Sequence, residues 1–330
     1  SNNNIRLWSF DNFGENLLAN PRGGQIYYWE PSLGYTSSNR AYPISNLAGA
    51  VETPLFCSEV LSTDERHVVA FGTNAIGETY QDPLLIRWSS QEDPADWYPT
   101  AVNSAGDLRV PMGSLIVGVQ PTRQETLVFT DESLHSMQYI GAPYIFSLQT
   151  LSDNVNLIGP NAVITVNNIT YWMGEDKFYA YSGRVETLPC SLRRFVYGNI
   201  NYEQSYQIHV GLNEQYGEIM WFYCSAGSVV IDKYVVYNYL ENIWYYGDIG
   251  RTAWLDSHIR SAPFATAYDG YMYEQEVGCD DGSTNPPSAI PAYIESADFD
   301  IEDGNSFSFI KRIIPDVTFQ NSTSNTPELL

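Results

Sequence analysis

Lys233-Tyr234-Val235-Val236-Tyr237-Asn238-Tyr239-Leu240-Glu241-Asn242-Ile243-Trp244-Tyr245-Tyr246 sets two β-forming runs on either side of a Leu-Glu-Asn turn. β-Branched and aromatic side chains fit a pleated, half-buried surface, and asparagine tolerates the backbone of a tight turn. The stretch therefore predicts two adjacent antiparallel strands. Phrases of the same kind recur at Gln25-Ile26-Tyr27-Tyr28-Trp29-Glu30, Leu84–Ser89, Ser136-Met137-Gln138-Tyr139-Ile140, Lys177-Phe178-Tyr179-Ala180-Tyr181-Ser182 and Asp269-Gly270-Tyr271-Met272-Tyr273-Glu274. Their intervals of about 40–55 residues match a blade of four antiparallel strands. The expected fold class is all-β, a β-propeller of five to six blades over residues 1–285. The irregular period leaves a sandwich with long strands as the alternative.

Outward from these phrases, short β-type runs alternate with Gly, Asn, Asp and Pro turns, and amphipathic helices are nearly absent. Examples are Ile5–Phe10, His67–Gly72, Gly113–Gln120, Thr126–Thr130, Ile169–Met173, Glu218–Tyr223 and Ser228–Tyr239. Ser283-Thr284-Asn285-Pro286-Pro287 has the composition of a linker. Residues 286–330 are read as that linker and the start of a second, β-sandwich-like domain, with strands expected at Ala292–Asp300 and Ser306–Gln320 and an alternating edge at Phe309-Ile310-Lys311-Arg312. The chain starts Ser-Asn-Asn-Asn and stops at Glu328-Leu329-Leu330, so a longer polypeptide is expected.

With 39 acidic against 16 basic residues, the net charge is −23. Such a surface will not grip a phosphate backbone, which needs clustered Lys and Arg for counterion release. It suits avoidance of nucleic acid, docking on basic partners, or simple solubility. The 25 tyrosines fit half-exposed strands and large interfaces. Cys57, Cys190, Cys224 and Cys279 form no CxxC pair, so free, mostly buried thiols are expected. His67, His135, His209 and His258 lack a second His or Cys at metal spacing, and His209 reads as a core or edge histidine. Asp280-Asp281-Gly282 with Glu274 and Glu276 reads as an acidic loop, lacking the oxygen spacing of a calcium loop. No apolar run approaches the ~18 residues of a membrane span. No nucleophile elbow or phosphate-cradling glycine loop is present. No catalytic residue, metal or cofactor is therefore expected.

The segment Leu85–Val110, LLIRWSSQEDPADWYPTAVNSAGDLRV from Leu84, places Trp88 and Trp97 at the shoulders of a polar excursion. Asp93-Pro94 starts a turn, and Gly106 gives a permissive backbone before the next strand. Glu92, Asp93, Asp96 and Asp107 could be taken for an acid–base set, but a solvated loop is a poor place to raise a carboxyl pKa. Arg87, Trp88, Asp93, Pro94, Asp96, Trp97, Gly106 and Asp107 are read instead as a structural motif, with the tryptophans clipping a loop between blades.

The pattern Arg87-Trp88-Ser89 … Glu92-Asp93-Pro94 … Asp96-Trp97 … Ala105-Gly106-Asp107-Leu108 resembles a segment of the tail hub, nozzle and packaged-DNA stabilisation proteins of short-tailed bacteriophages. Leu127–Thr130, Ser136–Tyr139, Gly159–Ala162 and Tyr171–Gly174 are similar in more generic ways. The resemblance implies a non-enzymatic virion component, made in the host cytoplasm. It would form a homo-oligomeric ring, commonly a hexamer, with portal, adaptor or other tail proteins as partners, and DNA would pass without specific binding. The alternative is a glycan-binding or glycan-cleaving propeller, with Trp221, Trp244 and Trp254 as stacking platforms and Arg193, Arg194, Arg251 and Arg260 as carboxylate clamps.

Overall fold

The computed structural model describes residues 6–257, 259–278, 280–281, 286–290, 309–312 and 314. The chain divides into two compact units, Ser1–Tyr273 and Glu274–Leu330. The first is a six-bladed β-propeller whose antiparallel sheets stand in a ring. Six separate small sheets exclude the sandwich alternative.

Blade 1 holds β1 (Trp8–Phe13), β2 (Asn16–Pro21), β3 (Tyr27–Trp29) and β4 (Tyr42–Pro43). Blade 2 holds β5 (Glu59–Ser62), β6 (Val68–Phe71), β7 (Leu85–Trp88) and β8 (Gly106–Arg109). In blade 3, β9 (Ile116–Pro121) and β10 (Thr126–Thr130) lead to the long hairpin β11 (Ser133–Gly141) and β12 (Ile145–Asp153). Blade 4 is β13 (Val163–Val166), β14 (Ile169–Met173), β15 (Phe178–Tyr181) and β16 (Val185–Leu188). Blade 5 is β17 (His209–Asn213), β18 (Glu218–Tyr223), β19 (Lys233–Asn238) and β20 (Ile243–Asp248). Blade 6 has three strands, β21 (Ala253–Leu255), β22 (Phe264–Thr266) and β23 (Met272–Glu274). Within every blade the strands pair in sequence order, so each is a simple meander. First strands face one another around the ring, β1 beside β5, β9 beside β13, β13 beside β17 and β17 beside β21.

All six recurring phrases fall on the third strand of a blade, β3, β7, β11, β15, β19 and β23. In the four-stranded blades that strand has a partner on each edge and a neighbouring blade on each face, which explains its apolar and aromatic content. The hairpin after β19 shows how the sequence makes the turn. Asn238 Oδ1 accepts from the backbone N–H groups of Leu240 and Glu241 at 3.0 and 2.9 Å. Asn242 takes φ +57°, and its side chain receives the Tyr237 hydroxyl at 2.8 Å.

The core lies between blades rather than inside any one of them. Val68 and Ala70 of β6 pack with Phe13, Leu18 and Tyr28 of blade 1, while Val69 and Phe71 pack with Val119, Val128 and Met137 of blade 3. Trp221 and Tyr223 of β18 face Trp172 and Phe178 of blade 4, whereas Met220 and Phe222 face Trp254 of blade 6. Successive side chains on a strand point to opposite faces, so a blade with neighbours on both sides needs apolar residues at consecutive positions. That is why these strands read as continuous apolar runs.

Several expected elements shift. The run Ser228–Tyr239 becomes a strand only from Lys233, because Ser225-Ala226-Gly227-Ser228 forms a turn with Gly227 at φ +85°. β5, β16 and β17 mix polar with apolar residues and so give weak strand signals in the sequence. In the second unit, β24 (Asp280–Asp281) pairs with β25 (Ser288–Ala289). Phe309–Arg312 carries no strand, contrary to the expected edge. Ala292–Asp300, the rest of Ser306–Gln320 apart from Ile314, and the single residues His258 and Cys279 lie outside the described residues.

Candidate functional site

The motif residues Arg87 to Asp107 form a sealed loop on blade 2. Trp97 is fully buried among Leu18, Tyr28, Ile44, Cys57 and Val68, the packing between blades 1 and 2. The loop is stitched to the chain that joins those blades: Val51 N–H donates to Ala95 O at 3.0 Å and Trp97 N–H to Val51 O at 3.1 Å. Arg87, also buried, donates from Nη1 to Asn74 O (3.2 Å) and from Nη2 to Glu52 O (2.5 Å) and Trp97 O (3.3 Å). Burial lowers its guanidinium pKa, and the charge is held by backbone carbonyls. Trp88 Nε1 donates to Ser104 O at 2.8 Å, and its ring lies where a Cβ on Gly106 would stand, which is why position 106 is glycine. Phe146 from the β11–β12 hairpin covers Trp88 edge-on at 5.1 Å.

The carboxylates of the loop serve its turns. Asp93 Oδ1 accepts from Ala95 N–H at 2.9 Å across Pro94. Asp96 accepts from Tyr98 N–H at 3.3 Å and from Asn103 Nδ2 at 2.7 Å. Glu92 pairs with Arg66 at 2.9 Å on the surface. Asp107 sits exposed on β8. The structure does not gather these four acids around a common point of attack.

What the structure does gather lies on the first strands, around the centre of the ring. Two cavities, of about 510 and 420 Å3, share the wall formed by Glu59, Val119, Pro160 and Asn161. The larger is bordered by Trp8, Phe10, Asp11 and Asp64, the smaller by His209 and Thr252. Arg22, at the end of β2, reaches inward and bridges three blades. Its Nη1 donates to Ser58 O (3.3 Å) and its Nη2 to Ile116 O (3.0 Å) and Val117 O (2.9 Å). The same guanidinium stands 3.9 Å from Glu59 Oε2 and 5.8 Å above the Tyr206 ring.

Glu59 is the acid at the heart of this wall. Its side chain is 20% exposed, but Oε2 itself is enclosed and lacks a hydrogen-bond partner. Burial pushes the carboxyl up to about 7, against the pull of Arg22 and of a hydrogen bond from the Val119 backbone. Asp11 is also raised by burial, opposed by hydrogen bonds from the backbones of Ser62 (2.6 Å) and Asn12 (2.8 Å). His209 is 9% exposed and stacks on Phe222 at 4.9 Å. Burial lowers it to about 4, so the ring is neutral. Its Nδ1 faces Gln207 O at 3.3 Å and therefore carries the proton, leaving Nε2 as an enclosed acceptor without a partner.

Sequence reasoning set His209 aside as a core histidine and passed over Glu59 and Arg22. Each is a single letter on a different blade, and no local spacing links them. The platforms expected for a glycan fall in different places, and of the three Trp254 borders the smaller cavity. Trp221 is fully buried with its Nε1 on Ala162 O, while Trp244 Nε1 donates to Pro189 O and Trp254 Nε1 to Leu212 O, each at 2.8 Å. Arg193 pairs with Asp176, and Arg260 and Arg251 lie over the rings of Phe264 and Tyr273. Among the described residues, no group of three or more His, Cys, Asp or Glu is placed to hold a metal ion, and Cys57, Cys190 and Cys224 are free thiols. No helix among them is long and apolar enough to cross a membrane.

No protein-family model and no curated protein matches the chain. Solved structures do. The AfRom2 CNH domain aligns at 9% identity and TM-score 0.48, over 79% of this chain and 78% of its own. The N-terminal domain of Nup159 aligns at 10% and 0.47, over 88% and 80%. Hsv2p of Kluyveromyces lactis aligns at 8% and 0.43, over 82% and 75%. At such identities and scores these likenesses carry no argument about activity or partners.

Proposed function

We propose that this chain is a structural subunit of a short-tailed bacteriophage tail, assembling as a homo-oligomeric ring, expected to be a hexamer, below the portal or adaptor. In this reading the ring retains the packaged genome and lets DNA pass at ejection. The Arg87–Leu108 phrase carries the proposal, because it is the most specific part of the family resemblance and is here a rigid clip between blades. Two further features support it. The net charge of −23 suits a surface that DNA must slide past. The β11–β12 hairpin runs on beyond its pairing with β10, which stops at Met137, and presents Ile140 and Tyr144 to solvent, a form suited to packing on a neighbouring subunit.

Light scattering and particle imaging of the purified chain test this. A closed ring of defined subunit number is expected, and Tyr144→Asp, at a position 75% exposed, should weaken the ring without unfolding the propeller. A monomer at all concentrations, joined by retention of a specific glycan on an array, would instead favour a glycan-binding propeller.

A further inference from the structure

We propose that the central channel is a binding site for an organic ammonium ion, with its charged nitrogen at Glu59 and its hydrocarbon part along the Trp8–Phe10 pair. Three observations converge on that chemistry. The first is a pair of enclosed acceptors without a hydrogen-bond donor, the nearest group to Glu59 Oε2 being the Arg22 guanidinium at 3.9 Å. Glu59 Oε2 as a carboxylate and Nε2 of neutral His209 both accept hydrogen bonds, and both belong to walls of the adjoining cavities. A buried acceptor without a donor is costly, and an ammonium brings three N–H groups.

The second is charge. The larger cavity is bordered by Asp11, Glu59 and Asp64 against the single guanidinium of Arg22. Both terminal nitrogens of Arg22 are already held by the carbonyls of Ser58, Ile116 and Val117. An anion would meet carboxylates there, and a neutral polyol could donate hydrogen bonds to them but would bring no charge to balance theirs.

The third is an aromatic surface in an unusual place. Trp8 and Phe10 stand on a first strand, 47% and 62% exposed, with their rings stacked at 6.0 Å and 8°. Both border the same cavity as Glu59. Aromatic faces attract ammonium ions and cover the methylene chains beside them.

Calorimetric titration with 1,4-diaminobutane, set against 1,4-butanediol at the same ionic strength, tests the site. Saturable one-to-one binding of the diamine and none of the diol is expected. Glu59→Gln should weaken it by about tenfold or more, the loss of one charge-assisted contact. Trp8→Ala, at a solvent-facing position, should weaken it by about threefold. Near pH 7 the bound cation should also expel a proton from Glu59, so the measured heat should vary with the ionisation enthalpy of the buffer, and at pH 9 this variation should vanish. Asp11, Asp64, Arg22 and His209 are the other charged or titratable groups on these walls, and the proton release should disappear in Glu59→Gln. Equal binding of the diol, or affinity unchanged by both substitutions, would overturn the proposal and assign the diamine to the diffuse surface charge. If Glu59→Gln does not fold, the Trp8→Ala titration and the buffer dependence of the unaltered protein decide it.

Discussion

In the Ser89–Asp107 loop each turn-forming carboxylate finds its donors within a few residues, Asp93 at Ala95 and Asp96 at Tyr98 and Asn103. Around the central channel the partners come from separate blades: Arg22, on blade 1, answers to Ser58 and Glu59 at the start of blade 2 and to Ile116 and Val117 of blade 3. The loop closes on itself, and the buried Arg87 fastens it with three backbone carbonyls. The channel wall keeps a carboxyl oxygen and an imidazole nitrogen enclosed without partners. Local satisfaction makes a scaffold; enclosed acceptors without donors, on residues that border a cavity, make a place for a ligand. The acids that stand out in the sequence are thus the less suited to chemistry.

The comparison is most strongly broken at Trp97. Trp97→Ala removes a fully buried indole between blades 1 and 2 and should cost about 3–5 kcal/mol in denaturant unfolding. An unchanged midpoint would show that the loop does not join the blades.

The channel's contrasting character should appear as pH dependence. Glu59 binds its proton more tightly in the fold, at about 7 against 4.5, so its contribution to stability is full below about pH 4.5 and is lost as pH rises through 7, by about 3 kcal/mol in all. Burial holds His209 down at about 4 from 6.5, so it acts with the opposite sign, its contribution being full above pH 6.5 and lost as pH falls through 4. Thermal melts across this range should show the decline toward pH 7 disappear in Glu59→Gln and the acid-side decline disappear in His209→Phe. Unaltered profiles in both would contradict this account of the wall.

Arg87→Met tests the loop's own charge. It leaves the carbonyls of Glu52, Asn74 and Trp97 without their guanidinium donor and should cost about 2–3 kcal/mol at any pH between 5 and 9. Asp93→Ala should cost about 1 kcal/mol, as the loss of one turn-capping bond. Glu92→Ala, on an exposed pair with Arg66, should change stability by less than about 0.5 kcal/mol. A larger loss at Glu92 than at Asp93 would reverse the ranking of turn over surface pair.

The blade period was legible because the third strand of each four-stranded blade meets the same demand. Between two strands and two neighbouring blades it must carry β-branched and aromatic residues, as at Leu85–Trp88 and Lys233–Asn238. The turn of Asn238 to Asn242 and the bend at Asp93-Pro94 were equally readable, since their hydrogen bonds close within five residues. First strands such as Glu59–Ser62 and His209–Asn213 line an open centre, tolerate polar letters and so lose the apolar signature. The sequence by itself determined an acidic, all-β chain with a repeating third strand and a self-closing Trp88–Trp97 loop, because strand pleat and turn chemistry act over a few residues. Only the tertiary structure decided that there are six blades and that Arg22, Glu59 and His209 share one channel, because closing the ring brings together positions as far apart in the chain as Arg22 and Val117.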